Sequence, residues 1–230
     1  MNGIILVDKP AGMSSFGVVA RVRSGLSKVA GKKVKVGHTG TLDPFATGLL
    51  ILVVGDYCKR AAEFSKLDKT YTATLHLGQT SSTGDPEGSI TTVSHRVPTR
   101  REIENALTHF CGTIQQTPPV HSAIKIHGQR AYKLARKGQT VHMPSRTVHI
   151  TKLELVSYDY PSATITCDVS SGTYIRTLVE DIGASLKTGA YTTGLRRTRV
   201  GGYELVNATE LDAIQITSLD AARQMISNVS

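Results

Sequence analysis

Hydrophobic positions along the chain fall into two periods, and the alternation between them outlines the fold. Residues 3–7 are a short apolar run, read as a strand and stopped by Asp8, Lys9 and Pro10. Val18, Val19, Val22, Leu26 and Val29 then recur on one face of a helix that Ser14 or Ser15 can cap. The unbroken run at residues 49–54 predicts a buried strand, and residues 58–67 a helix after it. From 69 to 77 the pattern is strictly two-residue: Tyr71, Ala73, Leu75 and Leu77 share the apolar face, while Thr72, Thr74 and His76 share the other. Residues 78–94 are polar and turn-rich, predicting a long loop. Thr99 and Glu102 have the spacing of a capping box before Ile103, Ala106, Leu107 and Phe110. Two strands follow at 147–158 and 163–169, then an amphipathic helix through Ile175, Leu178, Val179, Ile182 and Leu186. A strand at 190–200 and short helices at 208–214 and 219–226 complete the reading. Strand-rich stretches with few intervening helices predict an α+β fold with a mixed, largely antiparallel sheet flanked by helices and loops.

Composition narrows the function classes. The 230 residues are 40% hydrophobic, enough for a sizeable core, and 27 basic against 18 acidic residues leave a net charge of +9. That surplus fits a polyanionic partner, most often nucleic acid. Cys58, Cys111 and Cys167 are odd in number and widely spaced, which argues against a disulfide framework or a zinc site. With no apolar segment of signal-peptide or membrane-spanning length, the expected location is the cytoplasm. No repeat and no clear interdomain linker is visible, so a single catalytic domain over residues 1–230 is expected.

Chemistry concentrates in residues 37–48, Gly-His-Thr-Gly-Thr-Leu-Asp-Pro-Phe-Ala-Thr-Gly. Here one carboxylate, Asp43, stands among glycine, hydroxyl and apolar residues at the mouth of a buried strand. A lone acid in that setting is costly unless something pairs with it or uses it, and the glycines allow tight turns and close approach. Tyr71, on the apolar side of its strand, supplies a phenol. Arg176, where a glycine turn meets an amphipathic helix, needs an anionic partner, and Asp43 is the carboxylate that most needs a cation. Residues 115–138 combine Pro118-Pro119 with Lys125, His127, Arg130, Tyr132, Lys133, Arg136 and Lys137, a basic arm suited to phosphate or simply a solvated hairpin. Metal-ligand spacing, a phosphate-binding glycine loop, a dinucleotide fingerprint and a Gly-x-Ser-x-Gly elbow are all missing from the sequence.

These segments together resemble the TruB-type tRNA pseudouridine synthases. The resemblance is carried by Asp8-Lys9-Pro10-x-Gly12-x-Ser14-Ser15, the block at 37–48, Lys69-x-Tyr71 and Gln116-x-Pro118-Pro119-x-x-Ser122-Ala123-x-Lys125. It continues through Arg130-Ala131-Tyr132-x-Leu134-Ala135-Arg136-x-Gly138, Gly172-Thr173-Tyr174-Ile175-Arg176-Thr177 and Leu195-Arg196-Arg197, and runs from about residue 2 to about residue 212. It implies the pseudouridine synthase fold and isomerisation of the T-loop uridine at position 55 of tRNA, after the base has flipped out of its stack. By match, Asp43 is the catalytic aspartate, Tyr71 stacks on the uracil and is a candidate for proton transfer, and Arg176 pairs with Asp43. Leu195 packs against the flipped base and His38 fills the space it leaves. Thr41, Lys59, Tyr174, Arg196 and Arg197 join the RNA-contacting set with Lys125, Arg130 and Arg136, the last three on an insertion at about 119–146 that closes over the T loop. The resemblance implies no cofactor, no metal and a monomer acting on tRNA without a protein partner or a membrane. Family members usually carry a further small RNA-binding (PUA) domain, for which residues past 212 leave no room. Two rival readings use the same features: a non-catalytic RNA-binding protein or tRNA chaperone, and an aspartate-based nucleoside hydrolase.

Overall fold

The computed structural model describes residues 1–226 apart from 121, 123–124, 127–128 and 131–142. In chain order the elements are β1 (Gly3–Lys9), α1 (Ser15–Ala30), β2 (Val36–His38), β3 (Thr47–Val54), a 3-10 segment Gly55–Arg60, α2 (Ala61–Ser65), β4 (Lys69–Leu77), β5 (Gln79–Ser81), β6 (Ile90–Thr92), α3 (Arg100–Thr108) and β7 (Gly112–Gln116). They continue with β8 (Lys125–Ile126), β9 (Gln129–Arg130), β10 (Arg146–Asp159), β11 (Ser162–Val169), α4 (Ile175–Ser185), β12 (Ala190–Val200), β13 (Tyr203–Glu204), β14 (Thr209–Glu210) and α5 (Leu219–Met225). The chain divides into two compact units, Met1–Thr72 with Leu195–Ser230, and Ala73–Gly194. The divisions fall inside β4 and β12, which is why no linker shows in the sequence.

In the first unit β1 runs antiparallel to β3, from Gly3 opposite Val54 to Lys9 opposite Gly48. β2 pairs antiparallel with the end of β3, while β12 pairs parallel with its start, Arg197 lying opposite Gly48. The apolar run of β3 is continuous because both faces are covered. Leu50, Leu52 and Val54 pack with Ile5, Val7 and the α1 stripe Val18, Val19, Val22 and Leu26. Leu49, Ile51 and Val53 pack on the opposite face with Ile4, Phe64 and Val200. α1 starts where expected, the Ser14 side chain accepting from the Gly17 amide, and ends at Gly31 in the left-handed conformation. The predicted helix at 208–214 is instead the short strand β14, parallel to β1 through Val7–Thr209 and Asp8–Glu210, followed by one 3-10 turn. Unpaired backbone beside β1 gives that segment a ladder to join, which outweighs its weak helical spacing.

In the second unit β11, β10 and β7 follow β4 in the sheet, the β11–β10 and β10–β7 pairs antiparallel, β10 and β11 forming a long hairpin from Ile150–Val169 to Asp159–Ser162. The Thr99–Glu102 capping box is present at the start of α3 in both of its hydrogen bonds. α4 turns Ile175, Leu178, Val179 and Ile182 inward. Within the expected loop at 78–94, β5 and β6 form a small hairpin. The mixed, mostly antiparallel sheet flanked by helices agrees with the α+β expectation. Among the described residues, no helix is long and apolar enough to cross a membrane.

Candidate active site

In the first unit the loop between β2 and β3 holds Asp43, and its backbone is fixed at nearly every step. The Thr39 amide bonds the Ile51 carbonyl at 3.1 Å, and Ala46 N–H bonds the Asp43 carbonyl at 3.1 Å. Ser15, at the start of α1, accepts from the Leu42 amide at 2.8 Å and donates to the Leu42 carbonyl at 3.0 Å. Gly12 N–H donates to the Pro44 carbonyl at 2.8 Å. Gly48 closes the loop with φ +101°, and an added Cβ would lie 2.3 Å from the Arg197 carbonyl oxygen, so only glycine fits against β12. Asp43 itself is half-buried on this anchored loop.

Beneath the loop lies Lys9, a lysine with 0% of its surface exposed. Its Nζ donates to the carbonyls of Met13 (2.6 Å), Pro10 (2.7 Å) and Pro44 (3.2 Å). Burial lowers its pKa from 10.5 to about 8; attraction to Asp43 works against that shift and repulsion from Arg197 adds to it. The Asp43 carboxylate therefore sits in the field of a cation that the sequence pattern does not announce. Lys69 is a second buried lysine, its Nζ donating to the carbonyls of Ser65 (2.6 Å) and Leu67. Burial takes it also to about 8, with Arg197 repulsion in the same direction and Asp68 opposing.

The remaining expected residues of this unit divide into two groups. Tyr71 is buried on β4, His38 is half-buried at the end of β2, and Leu195 is half-buried on β12. Thr41 and Lys59 are exposed, Lys59 lying 3.8 Å from Asp56. Arg196 forks onto Asp8, at 2.6 Å and 3.3 Å, and reaches the Thr47 hydroxyl at 3.2 Å. Arg197, expected against RNA, is only 2% exposed; its Nε donates to the Leu49 carbonyl at 2.7 Å and its Nη2 to the Gly40 carbonyl at 3.1 Å. A guanidinium so enclosed is a brace between β12 and the Asp43 loop, and the phosphate contact expected of it is corrected accordingly.

In the second unit Arg176 opens α4 and is 4% exposed. Its Nη1 donates to the Thr83 carbonyl at 2.7 Å and to Asp85 Oδ2 at 3.1 Å, a buried ion pair within this unit. Asp85 is held in turn by the Thr83 hydroxyl (2.6 Å) and the Glu87 amide (3.1 Å), both on Oδ1. The turn requires Gly84, at φ +71°, where a Cβ would come 2.6 Å from Glu180 Oε1. Glu180 has its pKa raised by burial, against the attraction of Arg176. Asp85 is the residue that sequence reasoning missed; the signal was the Thr-x-Asp-Pro turn, legible as an Asx-type turn but not as an arginine ligand. Tyr174, before α4, is clamped by Gln116: the Tyr174 amide donates to Gln116 Oε1 at 2.7 Å, and Gln116 Nε2 donates to the Tyr174 carbonyl at 2.9 Å. The Arg146 guanidinium lies over the Tyr174 ring, 5.4 Å from its centre. Lys125 and Arg130 are register partners in the β8–β9 ladder. Arg136 lies outside the described residues.

Comparison with known proteins is consistent along the whole chain. A family profile described as TruB family pseudouridylate synthase (N terminal domain) matches residues 27–175, and one described as tRNA pseudouridylate synthase B C-terminal domain matches residues 176–228. A protein named tRNA pseudouridine synthase B from Burkholderia lata is 44% identical over 97% of this chain and 67% of its own length. One of the same name from Parabacteroides distasonis is 48% identical over 88% of this chain and 87% of its own. Among solved structures, a chain in a crystal structure of a Cbf5–Nop10–Gar1 complex superposes with a TM-score of 0.73 at 26% identity, covering 98% of this chain and 60% of that one.

Proposed function

The chain belongs to the TruB family of pseudouridylate synthases, an isomerase family, and from that premise we propose that it converts the T-loop uridine at position 55 of tRNA to pseudouridine. The observation that carries the reading is Asp43: a single half-buried carboxylate on a loop whose backbone is pinned from α1, β3 and β12. A positioned carboxylate can attack a sugar carbon or take a proton beside it, and either route loosens the bond from N1 to the ribose. The uracil turns, C5 bonds to the ribose and the C5 proton is lost while N1 regains one. Atoms balance without oxidant, reductant or water, so the chemistry needs no cofactor.

The target must leave its stack, at a cost of a few kcal/mol. The aromatic wall of Tyr71 and the apolar side of Leu195 would return about 1–3 kcal/mol of that by stacking. His38 would occupy the emptied place, and Arg176 would keep the catalytic carboxylate ionised; these two roles rest on the family match. Asp43→Asn is expected to lower turnover by at least ~10³ while tRNA binding persists, measured as tritium release from 5-tritiated uridine in a tRNA transcript. Undiminished release by the variant would remove Asp43 from the chemistry, and free uracil as product would identify a hydrolase. Release should also vanish when the T-loop uridine is replaced by cytidine.

A further inference from the structure

From residue 10 to residue 42 the chain carries Arg21, Arg23, Lys28, Lys32, Lys33 and Lys35 and not one acidic residue. In the fold this stretch is α1, the loop after it and β2, ending in the loop that holds Asp43. Arg21 is engaged by Asp212 at 2.8 Å. Lys28, Lys32, Lys33 and Lys35 gather at the C-terminal end of α1, about 22 Å from its start at 1.5 Å per residue, and Lys32, Lys33 and Lys35 are exposed. At that start stands Phe16, 63% exposed, with the Arg23 guanidinium 5.8 Å from its ring centre. Its place is set by its neighbour: Ser15, bonded twice to Leu42, ties the first turn of α1 to the residue preceding Asp43.

A solitary exposed phenylalanine is ordinary. One that follows the residue bonded to the Asp43 loop, turned to solvent, with a guanidinium on its face and a lysine cluster at the end of the same helix and in the loop after it, has the parts of a single-strand or loop RNA platform: an aromatic face for a base and cations for phosphates. We propose that α1 and the Lys32–Lys35 loop form an RNA track, in which Phe16 and Arg23 stack a nucleotide neighbouring the target and the lysines hold backbone phosphates leading away from it. The track rests on the reading of the protein as a tRNA-modifying enzyme and adds to it a contact surface with its stacking residue. A protein partner would also find an apolar side chain at Phe16, but the excess of cations over this stretch favours the polyanion.

The test is binding of a fluorescein-labelled T-arm hairpin, followed by anisotropy over a range of KCl concentrations, with tritium release assayed on the same wild-type sample. Phe16→Ala should weaken binding roughly tenfold, with a nearly unchanged salt slope. Phe16→Trp should restore affinity and Phe16→Leu should not, which separates stacking from apolar docking. Lys32→Gln/Lys33→Gln/Lys35→Gln should reduce the slope of log K against log salt by about 0.7 for each phosphate that the protein no longer neutralises. Circular dichroism melts identify any variant that has failed to fold. Wild-type protein that releases tritium, with affinity and slope unchanged in both folded variants, would overturn the track and leave the proposed function standing. A Phe16→Leu variant that binds as wild type would overturn the stacking. Wild type that binds the hairpin but releases no tritium would instead count against the proposed function.

Discussion

Lys9 should give the protein an unusual alkaline response. Its ammonium is fully enclosed, and burial brings its pKa from 10.5 to about 8, against the pull of Asp43. In the unfolded chain the amine keeps its ordinary value. Below about pH 8 both states hold the proton, and folding carries the cost of the buried cation, roughly 3 kcal/mol for this difference in pKa. Between about pH 8 and the unfolded value, the folded state releases the proton while the unfolded state keeps it, so stability rises with pH. From about pH 8 to about pH 9.5 the gain from Lys9 is about 2 kcal/mol. Lys69 contributes in the same direction, whereas Cys58, Tyr158 and Tyr203, whose pKa values burial raises, oppose it towards the upper end. The contribution of Lys9 is therefore read as a difference: urea unfolding followed by circular dichroism, at steps between about pH 7.5 and about pH 9.5, for wild type and Lys9→Met. Wild type should gain about 2 kcal/mol relative to the variant across that interval. In Asp43→Asn, with the attracting charge gone, the rise should begin at lower pH. Parallel curves for wild type and Lys9→Met would show that Lys9 keeps its proton throughout, and the lowering of its pKa by burial would be refuted.

Two further outcomes follow from the second unit. Asp85→Ala removes one buried carboxylate from the Arg176 guanidinium and should destabilise the protein by about 3 kcal/mol, visible as a lowered thermal midpoint. An unchanged midpoint would mean that Arg176 is held by other partners. Thr99→Ala removes one half of the α3 capping box and should cost about 1 kcal/mol in a urea titration without altering tritium release.

Much of the scaffold was legible because its periods are clean. β4 falls at the residues that alternation indicated, β12 covers the strand expected at 190–200, and the α1 stripe is the one that packs on β3. β7 was missed because Thr-Ile-Gln-Gln offers a single apolar position, and the strand exists through its ladder with β10. The helix expected at 58–67 is shared between a 3-10 segment and the five-residue α2, since spacing cannot distinguish the two kinds of turn over so short a length. Of the candidate site residues, the apolar side of β4 expected for Tyr71 is where it is buried, and Asp43 is half-buried ahead of β3. Asp85 did not, because its arginine is 91 residues away in sequence. Nor did Arg197, whose charge reads as surface until the carbonyls of Gly40 and Leu49 are seen around it. Composition reports charge; it does not report which backbone groups enclose it.

The two-faced burial of β3 restricts how the gene can vary. Alternate residues belong to different packing clusters, so inserting or deleting one residue within Thr47–Val54 would exchange the contents of both clusters at once. Gly48 and the ladders to β1 and β12 leave nowhere for such a change to be absorbed. Asp43 lies just upstream, so the placing of its carboxylate is set by the frame of β3. Length changes should accumulate elsewhere among related chains, and a library of single-residue insertions should show a silent gap across this segment as sharp as at the aspartate itself.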